Sequence, residues 1–370
     1  WFLPLPELIR LVELAAIHKF SILQLHLTDD QGWRFESRKY PRLTEVGAWR
    51  SESMLSGGAH EAFDGNPHGG FYRQDELRTL VAHAAALGVT VVPEVDAPGH
   101  MTAAIAAYPS LGNRPDVVLP VGTRWGVIEE ILNVEEDTVA FVRDVLDEVM
   151  EVFPGPFIHI GGDECPRIEW ERSARAQERK RELGLETDDQ LYSWFVGRLV
   201  DHVTSRGRTP VGWDEIREGD DPPRATVVMS WRGDSQGLNA AQDGYDVVMV
   251  PEDRVYLDHY QEDPASEPWA PRGLNTMERI LEYDPIPAEL TGFEASQILG
   301  TQCNVWTEYI PIPSHLHYMV FPRACALAEV AWGSPERDAA LFRARLEEHL
   351  RRLDHLGVGY RRPRAPIVGS

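Results

Sequence analysis

The chain has 370 residues, of which 43% are hydrophobic and 26% charged, values typical of a globular protein that can bury a large core. Its formal net charge of −23 argues against nucleic acid or an anionic membrane as a partner, because both require basic surface. We find no run of about 18 apolar residues, so the sequence predicts no membrane span.

The three cysteines and the start of the chain say little about compartment. Cys165, Cys303 and Cys325 lack the spacing of a metal site, and a disulfide framework is not expected at this size. The chain opens on Trp1-Phe2-Leu3 without the basic region of a signal peptide. We therefore expect the sequence to begin inside a larger fold, and it predicts neither a secreted nor a cytoplasmic location.

Seven short runs rich in Val and Ile recur along the chain. They cover residues 21–30, 88–96, 157–164, 208–215, 225–233, 245–258 and 299–308. Runs of this kind are typical of parallel strands that are buried on both faces.

Amphipathic stretches separate most of these runs and predict helices. The predicted helices cover residues 6–18, 74–87, 136–152, about 188–206, 235–243, 315–331 and 336–355. Gly88, Gly207 and Gly244 fall where helix C-caps are expected.

Alternation of strand and helix at this spacing predicts parallel βα units and an α/β fold. Seven units is one short of a closed (β/α)8 TIM barrel, and the chain opens on what should be the first helix. We predict such a barrel over residues 1–357, with its first strand before residue 1 and a C-terminal tail at 358–370. An open doubly wound sheet is the alternative. The Pro-rich segment 259–291 is predicted to be a long βα loop.

Nearly every apolar run ends in polar or aromatic residues. The residues at these ends are Asp29, Asp30, Glu94, Asp96, Asp163, Glu164, Trp213, Asp214, Glu215, Trp231, Arg232, Tyr256, Asp258, Trp306 and Glu308. In a (β/α)8 barrel the carboxyl ends of the strands open on one face, which holds the active site. The pattern therefore predicts a site rich in carboxylates and indoles.

A metal site built from His26, Asp29, His100 and His159 is an alternative. Metal-dependent barrels usually need closely paired histidines at a strand end, and the run at 26–30 offers only one. No Gly-rich phosphate loop and no serine elbow follows a strand. We predict neither a metal nor another cofactor.

Indole rings beside carboxylates suit sugars, whose apolar faces pack on aromatic rings while their hydroxyls donate to carboxylates. Most glycosidases place two carboxylates on either side of one bond. Asp163 and Glu164 are adjacent, with Cα atoms about 3.8 Å apart, and in an extended chain their side chains diverge. We therefore expect the two acids to do different jobs.

Seven ordered motifs resemble one known family. They are HLTDDQGWR (26–34), PEVDAPGH (93–100), HIGGDE (159–164), GWDE (212–215), SWRG (230–233), YLD (256–258) and WTEY (306–309), followed by FPRACALAEVAWG (321–333). Together they resemble the catalytic domain of glycoside hydrolase family 20, the β-N-acetylhexosaminidases, from Trp1 to about Tyr360.

The resemblance implies a (β/α)8 barrel and substrate-assisted hydrolysis of N-acetylhexosamine-containing glycans, in which the 2-acetamido oxygen is the nucleophile. It implies that Glu164 is the general acid/base and that Asp163 orients the acetamido N–H. Tyr256 corresponds to the donor to the acetamido oxygen. The remaining implied residues are Trp213, Trp231 and Trp306 as pocket walls, Asp258 as a support of that pocket, Glu308 as a ligand of sugar hydroxyls, and Asp29 with His100 as a pair behind the acid.

Several alternatives stay open on the sequence. His100 could cap a loop, and Asp29 could be an N-cap or part of a salt bridge. Asp30, Glu94 and Asp96 could be structural and rank lower as site residues. The family's D-x-x-R motif on the first strand falls before Trp1 by register, so a truncated, non-catalytic sugar-binding barrel is one alternative function. A lacto-N-biosidase-like enzyme of the same family, which releases a disaccharide, is another.

Overall fold

All seven predicted strands are present, and each is shorter than the run that predicted it. In chain order they are β1 (Ile22–His26), β2 (Thr90–Glu94), β3 (Phe157–His159), β4 (Thr209–Trp213), β5 (Val227–Ser230), β6 (Val247–Met249) and β7 (Ile298–Thr301). The computed structural model describes residues 1–56, 61–271 and 273–363. The chain divides into a larger unit, Phe2–Met229 with Asp243–Asp246, and a smaller unit, which holds Trp1, Ser230–Gln242 and the residues from Val247 onward.

In the larger unit, neighbouring strands from β1 to β5 pair in parallel and in chain order. The register places His26 beside Glu94, and Glu94 beside His159. Parallel pairing therefore aligns the carboxyl ends of β1, β2 and β3 and brings three ionisable residues side by side, of which Glu94 and His159 are fully buried.

Helices and short hairpins complete the larger unit. Its helices are Leu5–Ile17, Arg42–Glu45, Gln74–Ala86, Thr102–Ala107, Glu136–Val152, Ile168–Arg172, Ala174–Glu182 and Asp188–Ser205. Gly88 and Gly207 follow two of these helices with φ of 76° and 72°, which confirms that they end helices. The four long predicted helices of this unit are confirmed to within one residue at each end.

In the smaller unit, β6 and β7 pair in parallel, with a register shift between Val247 and Val248. Its helices are Asp234–Gln242, Glu252–Val255, Met277–Leu281, Gly292–Ser296, Pro313–Val320, Arg323–Trp332 and Ala339–His355. The expectation of one continuous helix over 315–331 was wrong, because two helices meet at Phe321-Pro322. Proline lacks the N–H that a continuous helix needs and disfavours helical backbone in the preceding residue.

The predicted loop 259–291 is not wholly irregular, since it contains a 3₁₀ turn at Pro264–Ser266 and the helix Met277–Leu281. Of the predicted tail, residues 358–363 have no helix or strand, and 364–370 lie outside the described residues. The boundary between barrel and tail stays a prediction. No helix in the described part of the chain is long and apolar enough to cross a membrane.

Candidate active site

A tight turn after β3 presents the two adjacent acids. Gly161 and Gly162 adopt φ of 72° and 97°. A Cβ on Gly161 would lie 1.8 Å from Asp96 Oδ1, and the backbone N–H of Gly162 donates to that same oxygen at 2.9 Å. Only glycine fits such a close approach at positive φ. The turn therefore depends on both glycines and on Asp96.

Two non-glycine residues at this site also have left-handed backbone. Glu164 has φ of 43° and His100 has φ of 54°. This conformation costs about 1–2 kcal/mol for an L-residue, and strain of this kind is concentrated at functional sites. The surrounding contacts must therefore hold both residues in place.

The imidazole of His100 lies between two sets of carboxylates. Its Nδ1 is 3.2 Å from Asp29 Oδ1 and 3.2 Å from Asp30 Oδ2. Its Nε2 is 3.5 Å from Glu164 Oε2 and 3.8 Å from Asp163 Oδ2. The structure thus brings together four residues that the sequence singled out, Asp29, His100, Asp163 and Glu164, and adds Asp30 to them.

The charges of His100 and Asp29 depend on each other. Burial opposes the charging of both groups, but their attraction and hydrogen bond outweigh it. The pKa of His100 is raised well above its usual value, and the pKa of Asp29 is lowered. Near neutral pH an imidazolium therefore faces Glu164, with a carboxylate behind it.

Asp163 has a buried carboxyl neighbour in Asp96. Burial raises the pKa of both groups, and the charge of Asp163 raises that of Asp96 further. A hydrogen bond from protonated Asp96 in turn favours the ionised form of Asp163. The proton affinities of the two side chains are therefore linked.

Trp213, the last residue of β4, is only 1% exposed. Its indole N–H donates to Glu94 Oε1 at 2.8 Å, and its ring lies 4.9 Å from the ring of His159. A buried carboxylate thus fixes the ring plane of one predicted pocket wall.

In the smaller unit, the predicted site residues Trp231 and Trp306 both lie beside Tyr256. Trp231 stacks with Tyr256 at 6.5 Å between ring centroids and 23° between planes, and Trp306 lies 6.3 Å away at 54°. A parallel bridge between Tyr256 and Asn304, with the N–H of Leu257 donating to the carbonyl of Asn304 at 2.7 Å, fixes this spacing.

Asp258 and Glu308 are the two predicted acids of the smaller unit. Asp258 is 6% exposed, and burial together with the nearby charge of Glu308 raises its pKa to about 8. Trp1 donates its indole N–H to the carbonyl of Glu308 at 2.8 Å. Asp258 is therefore largely protonated near neutral pH.

Arg323 was missed by the sequence analysis and anchors the loop that follows β6. It is fully buried and donates to the carbonyls of Leu257, His259 and Asn275, the last two at 2.9 Å. Burial lowers its pKa to about 9. An arginine inside the apolar run FPRACALAEV was the available signal, because a charge is buried there only if its donors are satisfied.

Three groups of ionisable side chains in the larger unit lie close enough to suggest a cation site. Their candidate ligand atoms lie within 4.8 Å of one another, in the sets His26/Glu94/Asp96, Asp29/Asp30/His100 and Asp96/His100/Asp163. Each set contains His26 or His100, whose raised pKa disfavours the neutral imidazole that a metal requires. The absence of a metal stays a prediction.

The catalytic-domain model of glycosyl hydrolase family 20 matches residues 1–335. The chain belongs to glycosyl hydrolase family 20. It is 40% identical over 365 residues to a β-hexosaminidase of Porphyromonas gingivalis, covering 98% of this chain and 45% of that protein. It is 36% identical to a β-hexosaminidase of Vibrio furnissii, covering 88% of this chain and 54% of that protein. The chain spans about half the length of these curated relatives.

Solved structures of the family agree in fold. A family 20 exo-β-N-acetylglucosaminidase of Vibrio harveyi, in complex with N-acetylglucosamine, matches with a TM-score of 0.85 and 33% identity, over 98% of this chain and 57% of that one. A β-N-acetylhexosaminidase of Streptomyces coelicolor matches with a TM-score of 0.81 and 30% identity, over 99% and 69%. The predicted family and its (β/α)8-barrel fold are confirmed, and the alternative of a doubly wound sheet is wrong. The placement of a first strand before Trp1 stays a prediction.

The raised pKa of Asp258 predicts a pH-dependent stability. In the unfolded chain its pKa is about 4, whereas in the folded protein it is about 8. The folded state thus binds the extra proton, and stability falls as pH rises between these values. Between pH 5 and pH 8.5, we expect the melting temperature of Asp258→Asn to fall less than that of wild type, as measured by thermal unfolding. Exposed Asp116→Asn is the control, and parallel curves for wild type and Asp258→Asn would contradict the assignment.

Proposed function

We propose that this chain is the catalytic domain of a retaining exo-β-N-acetylhexosaminidase. Its substrates are glycans or chitooligosaccharides with terminal non-reducing GlcNAc or GalNAc. One observation carries the proposal: His100 lies against both Asp163 and Glu164 after a double-glycine turn. Retaining glycosidases with a carboxylate nucleophile hold their two acids about 5–5.5 Å apart on opposite sides of the bond. Neighbouring acids that contact one imidazole suit a mechanism in which the substrate supplies the nucleophile.

In the proposed reaction Glu164 is the general acid and then the general base. The acetamido carbonyl oxygen attacks the anomeric carbon while the bond to the leaving oxygen breaks, and Glu164 gives its proton to that oxygen. The resulting oxazolinium is opened by water, whose proton returns to Glu164 as the water oxygen bonds to the anomeric carbon. Two displacements at one carbon leave the configuration retained.

Asp163 is proposed to orient the acetamido group through its N–H. As the carbonyl oxygen attacks, positive charge develops on the acetamido nitrogen, and a nearby carboxylate stabilises that charge. Burial raises the pKa of Asp163, whereas the charge of His100 and a hydrogen bond from Asp96 favour the ionised form that can accept the acetamido N–H.

His100 and Asp29 are proposed to tune the acid. When Glu164 releases its proton, the carboxylate that forms lies 3.5 Å from His100 Nε2. The imidazolium of His100 stabilises that carboxylate, and Asp29 keeps the imidazolium ring oriented. Catalysis therefore depends on the pair behind Glu164 as well as on Glu164 itself.

The remaining roles follow the family pattern. We propose that Tyr256 donates to the acetamido oxygen and that Trp213, Trp231 and Trp306 are walls of the acetamido pocket. Asp258, protonated near neutral pH, supports the loop that carries Tyr256. Glu308 binds sugar hydroxyls near O4 and O6.

The proposal predicts that turnover requires the 2-acetamido group. With 4-nitrophenyl N-acetyl-β-D-glucosaminide we expect turnover at least about 10³-fold faster than with the plain β-glucoside, because the glucoside lacks the intramolecular nucleophile. Similar turnover of both would contradict the proposal. Calorimetry with GlcNAc on the same sample distinguishes a non-catalytic sugar binder, and product analysis on a tetrasaccharide distinguishes release of a disaccharide.

The role of Glu164 predicts a dependence on the leaving group. Glu164→Gln should lose roughly 10²–10⁴-fold in kcat/KM on alkyl and sugar leaving groups, which need a proton, and much less on 2,4-dinitrophenol, which does not. Exposed Glu171→Gln is the matched control, since the same chemical change there should leave all rates unaltered. An equal loss across the leaving-group series would remove Glu164 as the acid.

A further inference from the structure

Glu94, the last residue of β2, is a buried carboxylate that none of the proposed catalytic steps uses. It has no exposed surface, and four side chains converge on its two oxygens. Gln24 Nε2 donates to Oε2 at 2.7 Å, and His26 Nδ1 lies 3.1 Å from that oxygen. Trp213 Nε1 donates to Oε1 at 2.8 Å, and His159 Nδ1 lies 3.2 Å from that oxygen.

The charge of Glu94 is maintained by these partners. Burial alone would raise its pKa, but His159 and His26 lower it well below its usual value. Its charge raises the pKa of two more distant carboxyl groups, those of Asp96 and Asp163. Because the carboxylate is enclosed on all sides, it cannot touch a substrate, and its effect must pass through the side chains that it holds.

One of those side chains is Trp213. Its indole N–H is donated to Glu94, so the plane of the ring depends on where that carboxylate lies. Trp213 is proposed above as a wall of the acetamido pocket. A shift of Glu94 would therefore change the shape of that wall.

The second link passes through His26 to the acid. His26 Nε2 lies 3.4 Å from Asp29 Oδ2, on the opposite side of its ring from Glu94. Asp29 in turn contacts His100, whose Nε2 faces Glu164. Carboxylate and imidazole alternate along this series, Glu94–His26–Asp29–His100–Glu164, and the pKa of His26 is raised well above its usual value even though burial opposes it.

We propose that Glu94 is a positioning residue that couples the acetamido pocket wall to the charge series behind the general acid. Through Oε1 it sets the indole of Trp213, and through Oε2 it holds the imidazole of His26. Because His26 is held, Asp29 stays oriented toward His100. If His26 were free to rotate, Asp29 would move with it. The inference rests on the proposed function for its kinetic consequences, whereas the hold on His26 is independent of it.

The test compares Glu94→Gln with Glu148→Gln. Glu148 is a matched control because its carboxylate also accepts from several donors, Ser37 Oγ, Gln74 Nε2 and the N–H of Arg38, in a part of the larger unit with no proposed catalytic role. On the N-acetylglucosaminide, Glu94→Gln should lose about 10–100-fold in kcat/KM, with KM raised and kcat lowered. A merely structural role would reduce the fraction of folded enzyme, and hence kcat, without changing KM.

A second readout follows the ionisation of His26 by NMR of its Cε1–H, assigned by the loss of the signal in His26→Gln. The pKa of His26 should fall in Glu94→Gln and stay at the wild-type value in Glu148→Gln. If Glu94→Gln fails to fold, Glu94→Asp serves instead. Glu94→Asp keeps the negative charge on a shorter side chain. KM should therefore rise, while the pKa of His26 should fall less than in Glu94→Gln.

An unchanged KM or an unchanged His26 titration in folded Glu94→Gln would overturn the inference. If wild type itself has no hexosaminidase activity, the proposed function fails, and the titration alone decides the inference. In that case a lowered pKa of His26 supports the hold of Glu94 on His26, and an unchanged pKa overturns it.

Discussion

A carboxylate buried at the end of a parallel strand must have a cation or a hydrogen-bond donor on its oxygens, and much of the polar structure of the larger unit follows from that requirement. Moving an unpaired ion into a protein interior costs several kcal/mol or more. Glu94 and Asp96 have no exposed surface; Glu94 is the last residue of β2, and Asp96 lies two residues after it. The pKa of Glu94 is lowered beside His159 and His26, whereas the pKa of Asp96 is raised by burial and by the charge of Asp163, and Asp96 accepts from the N–H of Gly162.

The contacts of Glu94 and Asp96 connect the core to the residues proposed to act in catalysis. Asp96 shapes the turn that presents Asp163 and Glu164, because its side chain occupies the space where Gly161 would carry a Cβ. Glu94 orients Trp213 and the series that leads to His100. Residues that look structural by their burial thus determine the geometry and charge of the residues proposed to act on substrate. The left-handed backbone of Glu164 and His100 persists because this packing over-determines it.

Much of this arrangement could be predicted from the sequence. Runs of Val and Ile between amphipathic stretches predicted all seven strands and the long helices, because burial on both faces and helical periodicity are local patterns. The motif HIGGDE and its partners predicted that Asp29, His100, Asp163 and Glu164 would meet, and in the larger unit they do. Residues whose role depends on register were harder to recognise. Glu94 ranked low as a site residue, since only the pairing of β2 with β1 and β3 reveals that two histidines flank it.

Other errors have local causes. The helix expected at 315–331 is broken because Pro322 outweighed a continuous apolar pattern. Arg323 was overlooked because it acts by donating to backbone carbonyls at three separate positions in the chain. No local sequence pattern reveals such contacts. Polar groups that act by satisfying distant backbone are invisible until the chain is folded.

In the proposed mechanism the substrate supplies the nucleophile, Glu164 transfers the proton and Asp163 orients the acetamido group. The most direct measurement is kcat/KM for a series of aryl glycosides whose acetamido methyl group carries zero, one, two or three fluorine atoms. Fluorine withdraws electrons from the carbonyl oxygen without altering the leaving group. If the acetamido oxygen is the nucleophile, kcat/KM should fall steeply and monotonically along the series, by orders of magnitude in total. A flat series would contradict it, because a nucleophile provided by the protein would not respond to the acetamido substituent.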